Sequence, residues 1–202
     1  MNRLVLFNGP PRSGKDTAVE CFQDIDWDIS SFKFAQPLHD NARMTIFPLV
    51  GENRYMYYSE EAKNEIILEL GVSYRDFCIK LSEEYYKPNF GKDIFGRIQA
   101  GYIKHIIEST QWERNIFACS DSGFVDEVRP VIEVIGAENV MLVHLYRDGC
   151  SFIGDSRNYV DLSDFGIKPW EVHNTDIKLY YEKIEYLYDQ LTAPCLPPPE
   201  VL

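Results

Sequence analysis

The chain has 202 residues, long enough to bury a sizeable core, and its 45% hydrophobic and 26% charged residues are the balance of a globular protein. Its 20 Lys and Arg against 32 Asp and Glu leave a net charge of −12, which disfavours a grip on duplex DNA through its phosphates but leaves room for small anionic substrates in a local cationic pocket. Five scattered cysteines without a CxxC pair argue against a disulfide framework or zinc site and for a reducing cytoplasm, and the lack of any long apolar run argues against a membrane span or export signal.

In chain order, residues 4–7 (Leu-Val-Leu-Phe) are fully apolar, as in a parallel strand buried on both faces. Residues 16–23 read as the following helix, with Ala18, Val19 and Phe22 on its inner face. A second strand is expected over 29–34, then a helix over 37–43 opened by Pro37, whose fixed φ suits a first turn. The middle is helical in pattern over 59–70, 73–86 and 93–108. Ile66, Leu70, Phe77 and Leu81 recur there near helical spacing, and Pro88, Asn89 and Gly91 separate the last two helices. Strand character returns at 115–119 and 140–146, with a helix over 129–135 between them, and Cys119 reads as a small core residue. A tyrosine-rich helix over 177–191 follows. Residues 193–202, with four prolines, are expected to be an extended tail rather than packed structure. Strands alternating with helices imply an α/β class with a parallel sheet, whose ligands bind beyond the carboxyl ends of the strands.

The first strand runs into Gly9-Pro10-Pro11-Arg12-Ser13-Gly14-Lys15, which satisfies G-x-x-x-x-G-K in the strand–loop–helix context the motif requires. Glycines let successive backbone N–H groups converge on an anion, and the helix start adds partial positive charge. Lys15 can reach the β- and γ-phosphates of a nucleotide. Asp16 and then Thr17 follow it, so no hydroxyl comes directly after the lysine. Both are candidates for holding magnesium through water, and Asp16 reads equally as an acid favoured at a helix start.

The stretch GPPRSGKDT is similar to the G-x-P-G-x-G-K-G-T loop of adenylate kinases and related nucleoside monophosphate kinases. With FKFAQPLHDNAR, CSDSGFVDEV and VHLYRDG further on, the chain resembles the bacteriophage deoxynucleoside monophosphate kinases, a branch of the P-loop kinases, over most of residues 1–192. The resemblance implies a single P-loop kinase domain over 1–192. Its parts would be a parallel five-stranded sheet flanked by helices, a helical substrate-binding insertion over 51–108 and a lid over 147–160. It implies transfer of a phosphoryl group from ATP, with Mg²⁺, to a deoxynucleoside monophosphate in the cytoplasm, of the host if phage-encoded. ATP and the monophosphate are then the partners, without membrane or nucleic acid, and a homodimer stays open. Two alternatives stand beside it. One is a kinase of the same fold acting on another acceptor (a modified nucleotide, a base hydroxyl in DNA or a small metabolite). The other is a nucleotide-binding module without transfer.

Phosphoryl transfer needs alignment and positive charge on the transferring group, so cationic side chains are expected to converge from several segments. Gly9, Arg12, Ser13, Gly14, Lys15, Asp16 and Thr17 are the expected ATP-binding set. Arg43 and Arg75 are candidates for the acceptor phosphate, and Arg147 and Arg157, from the lid segment, for the donor phosphates. For Arg43 and Arg75 the competing role is a surface ion pair, and Lys92 and Arg97 fit a solvated helix face. Asp121, at the tip of the third strand, is a candidate for holding Mg²⁺ through water, for orienting the acceptor, or for capping the next helix. The related kinases carry Asp-x-Arg here; this chain has Asp121-Ser122-Gly123, with Arg129 the candidate to compensate. The VHNTD stretch resembles the turn before their last helix, so that Asn174 and Thr175 border the donor adenine or else cap that helix, and His173 ends a strand. The tyrosines of RYMYYSEE and EEYYKPNF are candidates for stacking a base or for packing.

Overall fold

In the computed structural model, which describes residues 1–50, 62–110, 113–155 and 157–202, the opening apolar run is β1 (Asn2–Asn8), followed by α1 (Lys15–Ile25) and β2 (Ser30–Phe32). After a separate helical segment come α5 (Ile94–Ser109), β5 (Asn115–Cys119), α6 (Val125–Ile135), β6 (Val140–Tyr146), β7 (Pro169–His173) and α7 (Ile177–Thr192). The five strands form one parallel sheet in the order β2-β5-β1-β6-β7, with Val5 paired to Ala118 on one side and Met141 on the other.

The continuous apolar runs exist because the central strands are covered on both faces. Val5 and Phe7 point into a core with Ile116, Ala118, Met141 and Val143, covered by Phe22 of α1 and Tyr180, Ile184 and Leu187 of α7. Leu4 and Leu6 point the other way, with Phe117 and Leu142, toward Ile103 of α5 and Val128, Val131 and Ile132 of α6. Strand period two divides each run between the two cores. Burial of a side chain such as Leu4 or Phe117, both without exposure, stabilises the fold by about 1.5–3 kcal/mol.

The chain divides into two compact units, Met1–Phe34 with Gly96–Leu202, and Ala35–Phe95; the second differs in bounds from the insertion expected over 51–108. It contains α2 (Gln36–Val50), a 3₁₀ turn (Ala62–Asn64), a hairpin of β3 (Ile66–Ile67) and β4 (Val72–Ser73), α3 (Tyr74–Lys80), a π-helical turn (Leu81–Tyr86) and α4 (Lys87–Phe90). Its core joins Leu38, Ala42, Ile46, Ile67, Tyr74, Cys78 and Phe95.

Two expectations need correction, and one strand had gone unread. The helix read over 59–70 begins outside the described residues, and from 62 onward the chain is turn and hairpin. Gly71, at φ +66, closes the turn by donating to the Ile67 carbonyl at 2.8 Å, and β-branched Ile66, Ile67 and Val72 pair instead of coiling. The strand β7 lacked a reading of its own in the sequence apart from His173 at its end. Only Trp170 and Val172 face the core, so it alternates instead of running apolar. The proline-rich end is extended, but it is packed: Glu171 N donates to Glu200 O, and Leu202 N to Glu171 O at 2.7 Å. Leu196 and Leu202 lie against the α1–α7 core. Arg3, almost fully buried, donates to the carbonyls of Ala193 and Pro194 at 3.3 and 3.1 Å.

Candidate functional site

The turn between β1 and α1 is held from behind. Asn174 donates its amide to Ser13 O at 3.0 Å, and Tyr180 its hydroxyl to Gly14 O at 2.9 Å. A Cβ on Gly14 would lie 2.7 Å from Asn174 Nδ2, and its φ of +106 is closed to most side chains. A Cβ on Gly9 would lie 2.7 Å from Leu145 O. Both glycines are thus set by close approach. Gly14 is also the N-cap of α1 and supplies no side-chain cap, so the first-turn N–H groups depend on another acceptor. Arg12 is left-handed as well, at φ +66, and its carbonyl accepts from Arg147 Nη1 at 3.1 Å. Ser13 Oγ is buried without a hydrogen-bond partner among the described residues.

Lys15 folds back on this turn, its ammonium donating to Gly9 O and Pro10 O, each at 2.7 Å. Burial is the main cause that lowers its pKa to about 8; repulsion by Arg157 adds to it, against attraction by Asp16, Asp155 and Asp121. Asp16, in the first turn of α1, accepts from Ser120 Oγ and from Lys33 Nζ, both at 2.7 Å. Burial works against its ionisation, but these two bonds and the Lys33 charge win, and its pKa falls below the ordinary carboxylate value. Thr17 follows it on α1, half-buried.

Asp121, just past β5, accepts from Phe34 N at 2.8 Å and from the Cys119 thiol at 3.2 Å through the same Oδ1. It does not cap α6, whose N-cap is Phe124. Cys119 is fully buried, as expected of a core residue, and its thiol is pushed well above the ordinary value by burial. The room above Gly123 is filled by the aliphatic stem of Arg157. Arg129 instead lies over the Phe165 ring, 5.0 Å from its centroid. Arg157 makes a two-toothed pair with Asp155 through Nε at 2.9 Å and Nη2 at 2.6 Å, and holds that carboxyl down at about 2.

The expected lid segment has two parts. Ile153 is 93% exposed. Tyr159, by contrast, is wedged against His144, Tyr146 and Phe152, with ring centroids 4.7, 4.8 and 5.1 Å away, and donates to Leu145 O at 2.9 Å. Burial raises its phenol to about 12. Val160 donates to Asn8 Oδ1 at 2.9 Å. Of the residues before α7, neither Asn174 nor Thr175 is the cap. Asp176 accepts from Lys178 N and Leu179 N, Asn174 is buried on the loop, and Thr175 is exposed. His173 ends β7 and stacks on Tyr146 at 5.1 Å.

Arg43, on α2, and Arg75, in the first turn of α3, belong to the second unit; Arg43 faces Asp40 at 3.7 Å. Tyr85, Tyr86 and Phe90 pack on one another there, and Tyr86 also packs on Phe95. The other tyrosine stretch, residues 54–61, lies outside the described residues. Sequence reasoning missed Asn8, Lys33, Ser120, Tyr180 and Asp155. Asn8 alone left a signal, a polar side chain ending an apolar strand directly before the loop. It is 1% exposed, and its amide donates to both Ser122 O and Asn158 O.

No protein-family model and no curated protein matches the sequence. Among solved structures, the crystal structure of APE1195 is similar at a TM-score of 0.49 and 14% identity, over 96% of each chain. Among the described residues no helix is long and apolar enough to cross a membrane.

Proposed function

We propose that the chain is a P-loop nucleotide kinase that transfers the γ-phosphoryl group of ATP to a deoxynucleoside monophosphate. The observation that carries this reading is Lys15 resting on the carbonyls of Gly9 and Pro10 beside the uncapped start of α1. A half-desolvated ammonium beside first-turn N–H groups that have no side-chain cap makes a receptor for a polyphosphate. Support comes from the Ser13 hydroxyl, buried and without a hydrogen-bond partner among the described residues, and from the strand order, which sets β5 and the Asp121 that follows it beside β1. Arg147 and Arg157 are the proposed donor-phosphate contacts, and Arg43 and Arg75 the proposed acceptor contacts.

The donor set also suits magnesium carried by a nucleotide. Among the described residues no three His, Cys, Asp or Glu side chains are grouped to hold a metal by themselves. Asp16, Thr17 and Asp121 offer hard oxygens beside the loop, the kind Mg²⁺ takes together with phosphates and water. Bound there, the ion would neutralise charge on the phosphate oxygens.

The test is ADP release with Mg-ATP over a panel of nucleoside and deoxynucleoside monophosphates. Transfer to one or a few deoxynucleotides is expected. Tight ATP binding with no acceptor in the panel would favour a nucleotide-binding module instead, and absence of any triphosphate binding by folded protein would remove the reading.

A further inference from the structure

Gly123 is not glycine for its backbone conformation, because its φ lies outside the left-handed region. What forbids a side chain is Arg157. A Cβ at 123 would lie 2.5, 2.6 and 3.1 Å from its Cδ, Cγ and Cβ. These are stem atoms, so rotating the guanidinium gives no relief. Nor can the two backbones separate easily. The buried Asn8 amide binds Ser122 O on one side and Asn158 O and Val160 N on the other, and Ser122 Oγ donates to Phe7 O at 3.2 Å. One side chain at the end of β1 therefore holds both walls of the slot, one residue before the phosphate-binding turn begins.

The Arg157 side chain in that slot is 33% exposed and the Asp155 side chain 15% exposed. It lies close enough to Lys15 for each cation to act on the other. A planar fork that binds a carboxylate with two parallel bonds fits phosphate oxygens equally well. A triphosphate brings more negative charge than one carboxylate.

We propose that Gly123 is the positioning residue for Arg157, and that Asp155 is a resident counter-ion which Arg157 exchanges for a triphosphate oxygen when nucleotide occupies the loop. The exchange rests on the reading of the Gly9–Lys15 turn as a triphosphate site; the positioning by Gly123 does not.

The test has one arm without ligand and one with it. In nitrogen–proton correlation spectra of the free protein, Arg157 Nε–H, assigned by its loss in Arg157→Ala, should be a protected resonance. Gly123→Ala should shift or broaden it while leaving the melting temperature close to wild type. In calorimetry, Gly123→Ala and Arg157→Ala should each weaken Mg-ATP about tenfold, the worth of one charge-assisted contact, and the double variant should lose no more than either. Asp155→Asn, which leaves the stem alone, should free the Nε–H and bind Mg-ATP at least as tightly as wild type. An unshifted Arg157 signal in Gly123→Ala, or additive losses in the double variant, overturns the positioning. Loss in Asp155→Asn equal to that in Arg157→Ala overturns the exchange. A wild-type protein that binds no Mg-ATP overturns the triphosphate reading and the exchange together, and the ligand-free spectra then decide the role of Gly123 on their own.

Discussion

At the scale of single residues, Lys15 has the clearest consequence. Its pKa is lowered to about 8 by burial first and Arg157 second. The charged form is thus disfavoured in the fold, a penalty fully present below pH 8 and relieved as pH rises toward 10.5. A bound polyphosphate reverses the balance and draws the proton back. Near pH 8, Mg-ATP binding should therefore take up about half a proton, and near pH 6.5 almost none. Calorimetry in buffers of different ionisation enthalpy reads this directly. Lys15→Ala should abolish the uptake and lower phosphoryl transfer by about two orders of magnitude or more, with the melting temperature kept. Buffer-independent heats at pH 8 would place the ammonium away from the ligand. Asn8 makes the second residue-scale case. Removing its amide leaves buried groups at Ser122, Asn158 and Val160 without their partner. Asn8→Ala should cost about 2 kcal/mol or more in urea unfolding, and an unchanged midpoint would refute the staple.

At the scale of elements, the segment between β6 and β7 combines an exposed turn and an anchored strap. Ile153 stands in solvent, whereas Tyr159 and Val160 are bonded to Leu145 and Asn8. Limited proteolysis of the ligand-free protein should cut within 149–154 and spare 158–162, because cleavage needs backbone that can be drawn out of its contacts. A bisubstrate analogue should suppress the cut if this turn closes on nucleotide. First cuts after Tyr159 would contradict the anchoring. Helix α7 shows how one element serves both stability and the site. Its Ile184, Leu187 and Leu191 fill the core beside α1, while Tyr180, one turn from the Asp176 cap, reaches the loop backbone.

At the scale of the whole molecule, an acidic chain carries Arg12, Lys15, Lys33, Arg147 and Arg157 within one unit, in the segments beyond β1, β2 and β6. Local potential, not net charge, decides whether an anion is drawn in. The carboxylates set among these cations also shape acid stability. Asp155 titrates at about 2 in the fold, held down mainly by its bonds from Arg157, against 3.8 ordinarily. A depressed carboxyl contributes stability above its ordinary value and loses it as pH falls from about 4 to about 2. For this pair that is on the order of 1 kcal/mol once solvent screening is allowed for. Asp16 is lowered as well and acts in the same direction. Arg157→Met should move acid unfolding, followed by circular dichroism, to higher pH while leaving neutral stability less affected than the removal of a core side chain. An acid limb that superimposes on wild type would show the pair to be without energetic weight.

Sequence by itself determined β1, β5 and β6, because strands buried on both faces read as unbroken apolar runs, and α7, because its core face recurs at helical period. It determined the loop through the fixed spacing of two glycines and a lysine. Tertiary structure alone decided β7, whose single buried face alternates, and the β3–β4 hairpin, because Ile66 also falls near the helical spacing of Leu70, Phe77 and Leu81. It alone decided which polar groups meet at the site. Asn174 finds Ser13 across 161 residues, and Asn8 finds Val160 across 152. Gly123 owes its identity to an arginine that lies beside it only in the folded chain. Local pattern records which face of an element is buried, because that depends on near neighbours; it does not record which distant donor will occupy a given acceptor, because the packing of the sheet sets that distance.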